Sequence, residues 1–187
     1  MSIHIDLPFD DNGAEKLKCG DIVELSGTVY TARDAAHKKL TELLSSGKPL
    51  PFDIRNQTIY YVGPCPSRPG SIIGSAGPTT SGRMDAYAPA LLDLGLKGMI
   101  GKGLRSNDVK EAIIRNKAVY FGAVGGAGAL LSKCIEEAEI IAFPELGTEA
   151  VRRLKIKNFP AIVIMDSAGG NLYESGKEAF KRNNDDV

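Results

Sequence analysis

The chain carries no net charge: its 23 Lys and Arg balance 23 Asp and Glu across 187 residues. That balance gives no support to nucleic acid or an anionic membrane surface as the partner. Local positive charge remains free to serve a small acidic ligand. No apolar run approaches the roughly 20 residues that span a bilayer. Met1 to Asp11 has acids but no basic n-region, so no secretory signal is expected and the chain reads as cytoplasmic. Histidine occurs only at His4 and His37, and Cys19, Cys65 and Cys134 form no C-x-x-C or other metal-type pair. Three cysteines invite a reading as ligands of a cluster with one open iron. However, Cys134 sits in an apolar helical run, and Cys65 lies between two prolines with no evident second ligand. All three read as free thiols in a reducing cytosol, and no metal-ligand set is expected in this chain.

What is present is one domain's worth of chain, residues 1–187, with a charged end from Lys177 to Val187 that is expected to fray. Ser2 to Phe9 alternates apolar and polar residues as a half-buried strand does, and Asp21 to Tyr30 reads as a second strand. Thr31, with Asp34 three residues on, reads as a helix start. Ala36, Leu40, Leu43 and Leu44 give the helix a buried stripe, and Gly47 ends it. Thr58 to Val62 is another strand, followed by a Pro-rich turn from Pro64 to Pro69. Beyond it the rhythm becomes strand, glycine turn, helix. Strands are expected at Ser71–Ser75, Lys97–Ile100, Ala118–Phe121, Glu139–Phe143 and Ala161–Met165. Helices are expected at Met84–Leu94, after a cap at Asn107, at Ala127–Ile135 and at Glu149–Leu154. The alternation predicts an α/β domain whose second half pairs in parallel, while the strand-rich first half contributes antiparallel sheet.

The stretch Gly77-Pro-Thr-Thr-Ser-Gly-Arg-Met-Asp85 carries the most chemistry. Its small residues let the backbone turn sharply, its hydroxyls can donate, and Arg83 can grip a carboxylate with two parallel bonds. A following helix would add a partial positive charge. Two readings stand: an anion pocket, or a capped turn whose hydroxyls satisfy orphan helix N–H groups. Lys102, between Gly101 and Gly103, follows a predicted strand and could reach such a pocket, or could be a solvated turn lysine. Arg33 sits in a first helical turn, where a cation opposes the helix dipole; it either serves a ligand or pairs with Asp34 or another acid. His37, one turn on, either orients Arg33 or packs. The glycine-rich run Gly122 to Gly128 lacks a complete dinucleotide or phosphate-loop signature and reads as a site of close packing or of approach by a partner chain.

Together, Thr31-Ala-Arg-Asp-Ala-Ala-His37, Gly77 to Asp85, Gly101-Lys-Gly103 and Asn158-Phe-Pro-Ala-Ile-Val-Ile-Met-Asp166 resemble, in order and spacing, the beta region of the iron–sulfur fumarate and tartrate hydro-lyases, the class I fumarases. The resemblance covers nearly the whole chain and implies a swivelling β/β/α-type domain, with mixed sheets, a parallel central part and flanking helices. It implies a four-iron four-sulfur cluster held by a partner alpha subunit rather than by this chain, and hence a hetero-oligomer. Carried over position by position, Thr79 corresponds to the base that exchanges a proton with substrate carbon. Thr80, Arg83 and Arg33 correspond to carboxylate contacts, and Lys102 to a substrate-binding lysine beside the base. Ser81 stands where related chains often carry alanine. The chemistry asks for such residues: hydration of fumarate to malate builds extra negative charge on a carboxylate, which cations and N–H dipoles stabilise, while an open iron acts as Lewis acid on the hydroxyl. A threonine hydroxyl needs help to act as a base, and the Lys102 charge is the candidate. The expectation is therefore the beta subunit of a fumarate hydratase. The alternatives are the beta subunit of an L-tartrate dehydratase, or a non-catalytic module binding a carboxylate or phosphate.

Overall fold

The computed structural model describes residues 2–179 and 181. Strands β1 (Ile3–Leu7), β2 (Ile22–Thr31), β3 (Thr58–Tyr60), β4 (Gly98–Gly101), β5 (Val119–Gly122), β6 (Ile135–Ala142) and β7 (Val151–Met165) form one seven-stranded sheet in the order β1-β2-β3-β4-β5-β7-β6. The pairs β1–β2, β2–β3, β3–β4 and β4–β5 are parallel. Every antiparallel pair involves β7, which bonds β5, β6 and, at the opposite side, β2. Strands β2, β3, β4, β5 and β7 thus close into a ring, and closure leaves β7 no free edge. This α/β sheet is mixed, as expected, but the strand-rich first half is parallel. The antiparallel component comes instead from one long late strand.

Alternating residues face two cores. Tyr60, Val62, Ile100, Val119 and Phe121 point into the ring with Val23, Leu25 and Phe159. Ile59, Tyr61, Met99, Ala118 and Tyr120 point outward. There they meet helices α2 (Asp34–Ser45), α3 (Ala88–Asp93) and α4 (Asn107–Arg115), through Ala36, Leu40, Leu91, Leu92, Val109 and Ile113. The short helices α1 (Asp11–Lys16), α5 (Gly128–Leu131) and α6 (Leu172–Ala179) complete the set. Among the described residues no helix is long and apolar enough to cross a membrane.

Several expected elements differ. Thr31 ends β2, and α2 begins at Asp34 with Arg33 as its N-cap. Ser71–Ser75 is irregular chain; its two isoleucines do not pair, and Ile72 is exposed. The expected Met84–Leu94 helix breaks into a 3-10 turn, Ser81–Met84, and the six-residue α3. Ser106, not Asn107, caps α4, its hydroxyl accepting from the Val109 N–H. Ala127–Ile135 is helical only to Leu131, passes through a 3-10 turn at Ser132–Cys134, and enters β6 at Ile135, four residues before the expected strand. Glu149–Leu154 is not a helix: Val151 opens β7, where pairing on both sides outweighs the helix-forming character of its arginines, leucine and lysine. Lys177 to Ala179 lies in α6 rather than fraying, and the rest of that end, apart from residue 181, is outside the described residues.

Candidate functional site

Parallel strands β2, β3 and β4 end on one edge, and each delivers part of the site, as ligand sites of open α/β sheets are delivered. Arg33 follows β2 by two residues. Lys102 follows β4 directly. Thr79 is returned to the end of β3 by its own backbone: its N–H donates to the Tyr61 carbonyl at 2.8 Å, and Pro78 bridges Val62. Thr80 bridges Lys102 in parallel register, and the Ser81 N–H donates to the Lys102 carbonyl at 2.8 Å. Thr79, Thr80 and Lys102 are therefore neighbours. The predicted strand at Ser71–Ser75 has no part in this; the end of β3 does its work.

Arg33 and Arg83 meet on a shared acid. Arg83 Nε donates to Asp34 Oδ1 at 2.8 Å, and Arg33 Nη2 lies 3.8 Å from Asp34 Oδ2 and 3.3 Å from Glu149 Oε1. Glu149 also accepts from the Ala35 N–H at 3.0 Å, supplying the cap that α2 lacks at its own N-terminus. Gly63 makes room for the Arg33 guanidinium, since a Cβ there would stand 2.6 Å from Nη1. The pairing read for Arg33 is present: it is held by Asp34 and Glu149, and it shares Asp34 with Arg83. The Arg83 side chain is 51% exposed and engages Asp34 through Nε, and its terminal nitrogens make no hydrogen bond among the described residues. The helix-dipole contribution expected behind Arg83 is weak, because α3 is short and starts only at Ala88.

His37 packs, one of the two readings open for it, and its ring bonds only the backbone of Arg33. It is fully buried, edge-on to Tyr61 with ring centroids 5.3 Å apart, and its Nδ1–H donates to the Arg33 carbonyl at 3.0 Å. Burial holds its pKa down to about 4, so the ring is neutral near pH 7 and its Nε2 is buried without a partner.

Beneath the Thr79–Arg83 turn lies a cluster that sequence reasoning missed. The Arg105 side chain is 0% exposed, and its Nε donates to Asp85 Oδ1 at 2.6 Å. Its guanidinium lies 5.3 Å from the Tyr61 ring centroid and 5.1 Å from that of Tyr120. The Tyr120 hydroxyl is 2.9 Å from both the Gly103 carbonyl and Ser81 Oγ. A carbonyl only accepts, so Tyr120 donates to Gly103 and takes the Ser81 hydroxyl proton. Burial raises the Tyr61 and Tyr120 phenol pKa values, keeping both neutral. Ser81 is therefore a buried, bonded group rather than a neutral replacement. The signal available in the sequence was Asp85 itself, inside the quoted motif; a buried arginine has no sequence signature.

Lys102 runs along the glycine loop: a Cβ at Gly125 would lie 3.5 Å from its Nζ. Farther on, the Ala76 N–H donates to the Gly128 carbonyl at 3.0 Å, which is the close packing expected of these glycines. Val124 and Leu130 stand exposed beside the loop and, with Ile22 and Ile162, line an apolar groove of about 240 Å³. A larger cleft of about 470 Å³, between Pro64 and Arg152, contains none of the five predicted site residues.

The cysteines do not gather. Cys65 is exposed; Cys19 and Cys134 are half-buried, and burial raises both their thiol pKa values. Among the described residues no three His, Cys, Asp or Glu side chains converge as a metal site would require. The three thiols therefore do not meet as a cluster-holding set would.

Two arginines, a lysine and paired hydroxyls at one strand edge of a mixed α/β fold are groups able to donate to a small anion of more than one charge. Residues 1–176 match the family described as Fumarase C-terminus, and the chain belongs to that family. Fumarate hydratase 2 of Leishmania major is 40% identical over 156 residues, which cover 82% of this chain and 28% of its own length. The anaerobic class I fumarate hydratase of Escherichia coli (strain K12) is 40% identical over 154 residues, 81% of this chain and 28% of its own. A Methanocaldococcus jannaschii protein named "Putative L(+)-tartrate dehydratase subunit beta" is 39% identical over 178 residues, 91% of each chain. The chain thus spans a little over a quarter of the fumarate hydratases it matches, and nearly all of the protein named as a beta subunit.

Proposed function

We propose that this chain is the beta subunit of an iron–sulfur hydro-lyase that interconverts fumarate and malate together with a separate alpha subunit. The observation that carries the reading is the meeting of Arg33, Arg83, Thr79, Thr80 and Lys102 on one edge of the sheet. Each comes from a motif of the resemblance, and within a shared family the edge gives them one job. Arg83 offers its terminal nitrogens to one substrate carboxylate, with Thr80 beside it. Arg33, on the other side of Asp34, serves the second carboxylate. In the hydration direction Thr79 Oγ1 gives its proton to substrate carbon, and the Lys102 ammonium, on the neighbouring backbone bridge, stabilises the alkoxide left behind; the reverse reaction returns the proton to Oγ1.

The four-iron four-sulfur cluster belongs, in this reading, to the alpha subunit. The scattered cysteines support that assignment, as does the 91% mutual coverage with a protein named as a beta subunit. The site lies open along a strand edge, with the apolar groove at Val124 and Leu130 beside it, which suits closure by another chain. The closed ring of strands with helices outside supports the swivelling β/β/α form, acting as one domain, and a cytoplasmic location goes with it.

A second reading is the L-tartrate dehydratase beta subunit, favoured by the Methanocaldococcus relative. The test is anaerobic hydration of fumarate by this chain, alone and mixed with a cluster-loaded alpha subunit, with tartrate dehydration run in parallel. Fumarate turnover in the mixture alone is the expected result. Turnover of tartrate instead selects the second reading. Turnover of neither overturns both and leaves a carboxylate-binding module.

A further inference from the structure

We propose that Arg105 is the positioning residue that sets the placement of Thr79 against Lys102, an inference that rests on the catalytic reading above. The argument begins with what each partner of Arg105 supports. Asp85, bonded to Arg105 Nε at 2.6 Å, closes the 3-10 turn that carries Ser81 to Met84. The other Asp85 oxygen accepts from the Ser106 N–H at 2.5 Å, tying that turn to the start of α4. Tyr61, under the guanidinium plane, presents the carbonyl that holds the Thr79 N–H. Tyr120, beside the same plane, bonds Ser81 on one side of the pair and the Gly103 carbonyl, next to Lys102, on the other.

One buried cation therefore contacts all three supports of the Thr79–Lys102 neighbourhood. Its position relative to the arginines is different. Arg33 hangs on Glu149 and Asp34; Arg83 shares the turn that Asp85 closes, but its guanidinium is tied to Asp34, and neither arginine side chain bonds Arg105 or Asp85. Disturbing Arg105 should thus displace the proton-transfer pair more than the carboxylate clamp.

Lysine is the informative replacement. It keeps the charge that Asp85 requires, yet loses the flat face that rests on Tyr61 and Tyr120 and the fixed direction of Nε. In the reconstituted complex, Arg105→Lys is expected to lower kcat roughly 10- to 100-fold, the effect of displacing a reacting group by about an ångström, while KM moves less than about threefold. Hydrogen exchange on the full chain reads the geometry without activity. The amides of Thr79 and Ser81 should exchange roughly tenfold faster, while that of Lys48, bonded to the Leu43 carbonyl at the C-terminal end of α2, keeps its rate.

A kcat per assembled enzyme within twofold of the parent overturns the proposal, as does a rise in KM alone. A uniform rise in exchange at all three amides marks a purely structural role and overturns it too. Should Arg105→Lys fail to fold, Asp85→Asn leaves the arginine in place and makes the same two predictions. If the parent complex turns over neither fumarate nor tartrate, the functional reading falls, and unchanged exchange at Thr79 and Ser81 would separately refute the positioning.

Discussion

Alanine at Gly101 tests the packing that holds the site edge together. Gly101 ends β4, directly before Lys102, and its φ lies outside the left-handed region, so alanine strains no backbone there. The obstacle is Ser81: a Cβ at Gly101 would stand 2.0 Å from Ser81 Oγ, with Tyr61 Cδ2 at 3.0 Å and Ser81 Cβ at 3.3 Å. Gly101→Ala must expel the hydroxyl, losing its bond to Tyr120 (about 1 kcal/mol) and overpacking the turn (about 1–3 kcal/mol). The expected cost is about 2–4 kcal/mol. Ser81→Ala alone is mild, about 0.5–1.5 kcal/mol, because Tyr120 keeps the Gly103 carbonyl at 2.9 Å and no buried donor is orphaned. In the double variant the new methyl replaces the hydroxyl, and the remaining contacts need shifts of only a few tenths of an ångström. Its cost should fall below the sum of the single changes by about 1.5–2.5 kcal/mol. Urea unfolding of the parent and the three variants closes the cycle. Additivity within about 0.5 kcal/mol would refute the placement of Ser81 over Gly101.

Three further outcomes are expected. Arg83→Lys in the reconstituted enzyme should raise KM roughly tenfold with kcat within about threefold, because a point charge cannot hold Asp34 and a carboxylate as the planar fork does; unchanged kinetics would remove Arg83 from the clamp. Thr79→Ala should lower kcat at least roughly 100-fold with little change in KM, and a rise in KM alone would make Thr79 a binding residue. His37 has a folded pKa of about 4 against an ordinary 6.5, so the unfolded state takes up its proton first; the stability gained by keeping the ring neutral is present above pH 6.5 and is lost as pH falls towards 4. Between pH 7 and pH 5 the parent should lose about 2 kcal/mol more than His37→Gln in chemical denaturation, and parallel profiles would show that the ring titrates normally.

The strands that deliver the site were legible because their side chains alternate cleanly. Tyr60 and Val62 face the ring interior while Ile59 and Tyr61 face the helices, and a period of two reads directly from such residues. The first half of β7 was not legible for a local reason. Its buried positions run Val151, Leu154, Ile156, Phe159, Ala161, and the alternation breaks between Val151 and Leu154 and again between Ile156 and Phe159, where β7 carries an extra residue against β2 and Asn158 adopts φ of +50°. A window across such breaks sees basic and apolar residues at helical spacing. The Ile72–Ile73 pair misled in the opposite direction. Two β-branched residues look like a strand, but Gly74 packs so closely on the Cys65 carbonyl that a Cβ would stand 2.3 Å from its oxygen, and that approach fixes a loop.

Among the candidate site residues and those beneath them the division follows burial. Arg33, Thr79, Thr80, Arg83 and Lys102 sit in turns after strands, where a polar residue among glycines and prolines stands out. Asp85 shows only as the last residue of the Gly77–Asp85 motif, and Arg105, in the turn after β4, carries no sequence sign of its burial. A buried ion pair is a weak source of stability, since desolvation offsets the attraction, and apolar residues of similar volume often serve as well. Stability alone therefore gives little reason for Arg105 to lie fully enclosed between two tyrosines. What apolar residues could not supply is direction: a donor aimed at Asp85, a flat face against Tyr61 and Tyr120, and through them a fixed place for the Thr79 amide and the Gly103 carbonyl. On the proposed mechanism a threonine that meets a substrate carbon beside a lysine tolerates little displacement, and that geometric demand would account for the charge buried beneath the turn.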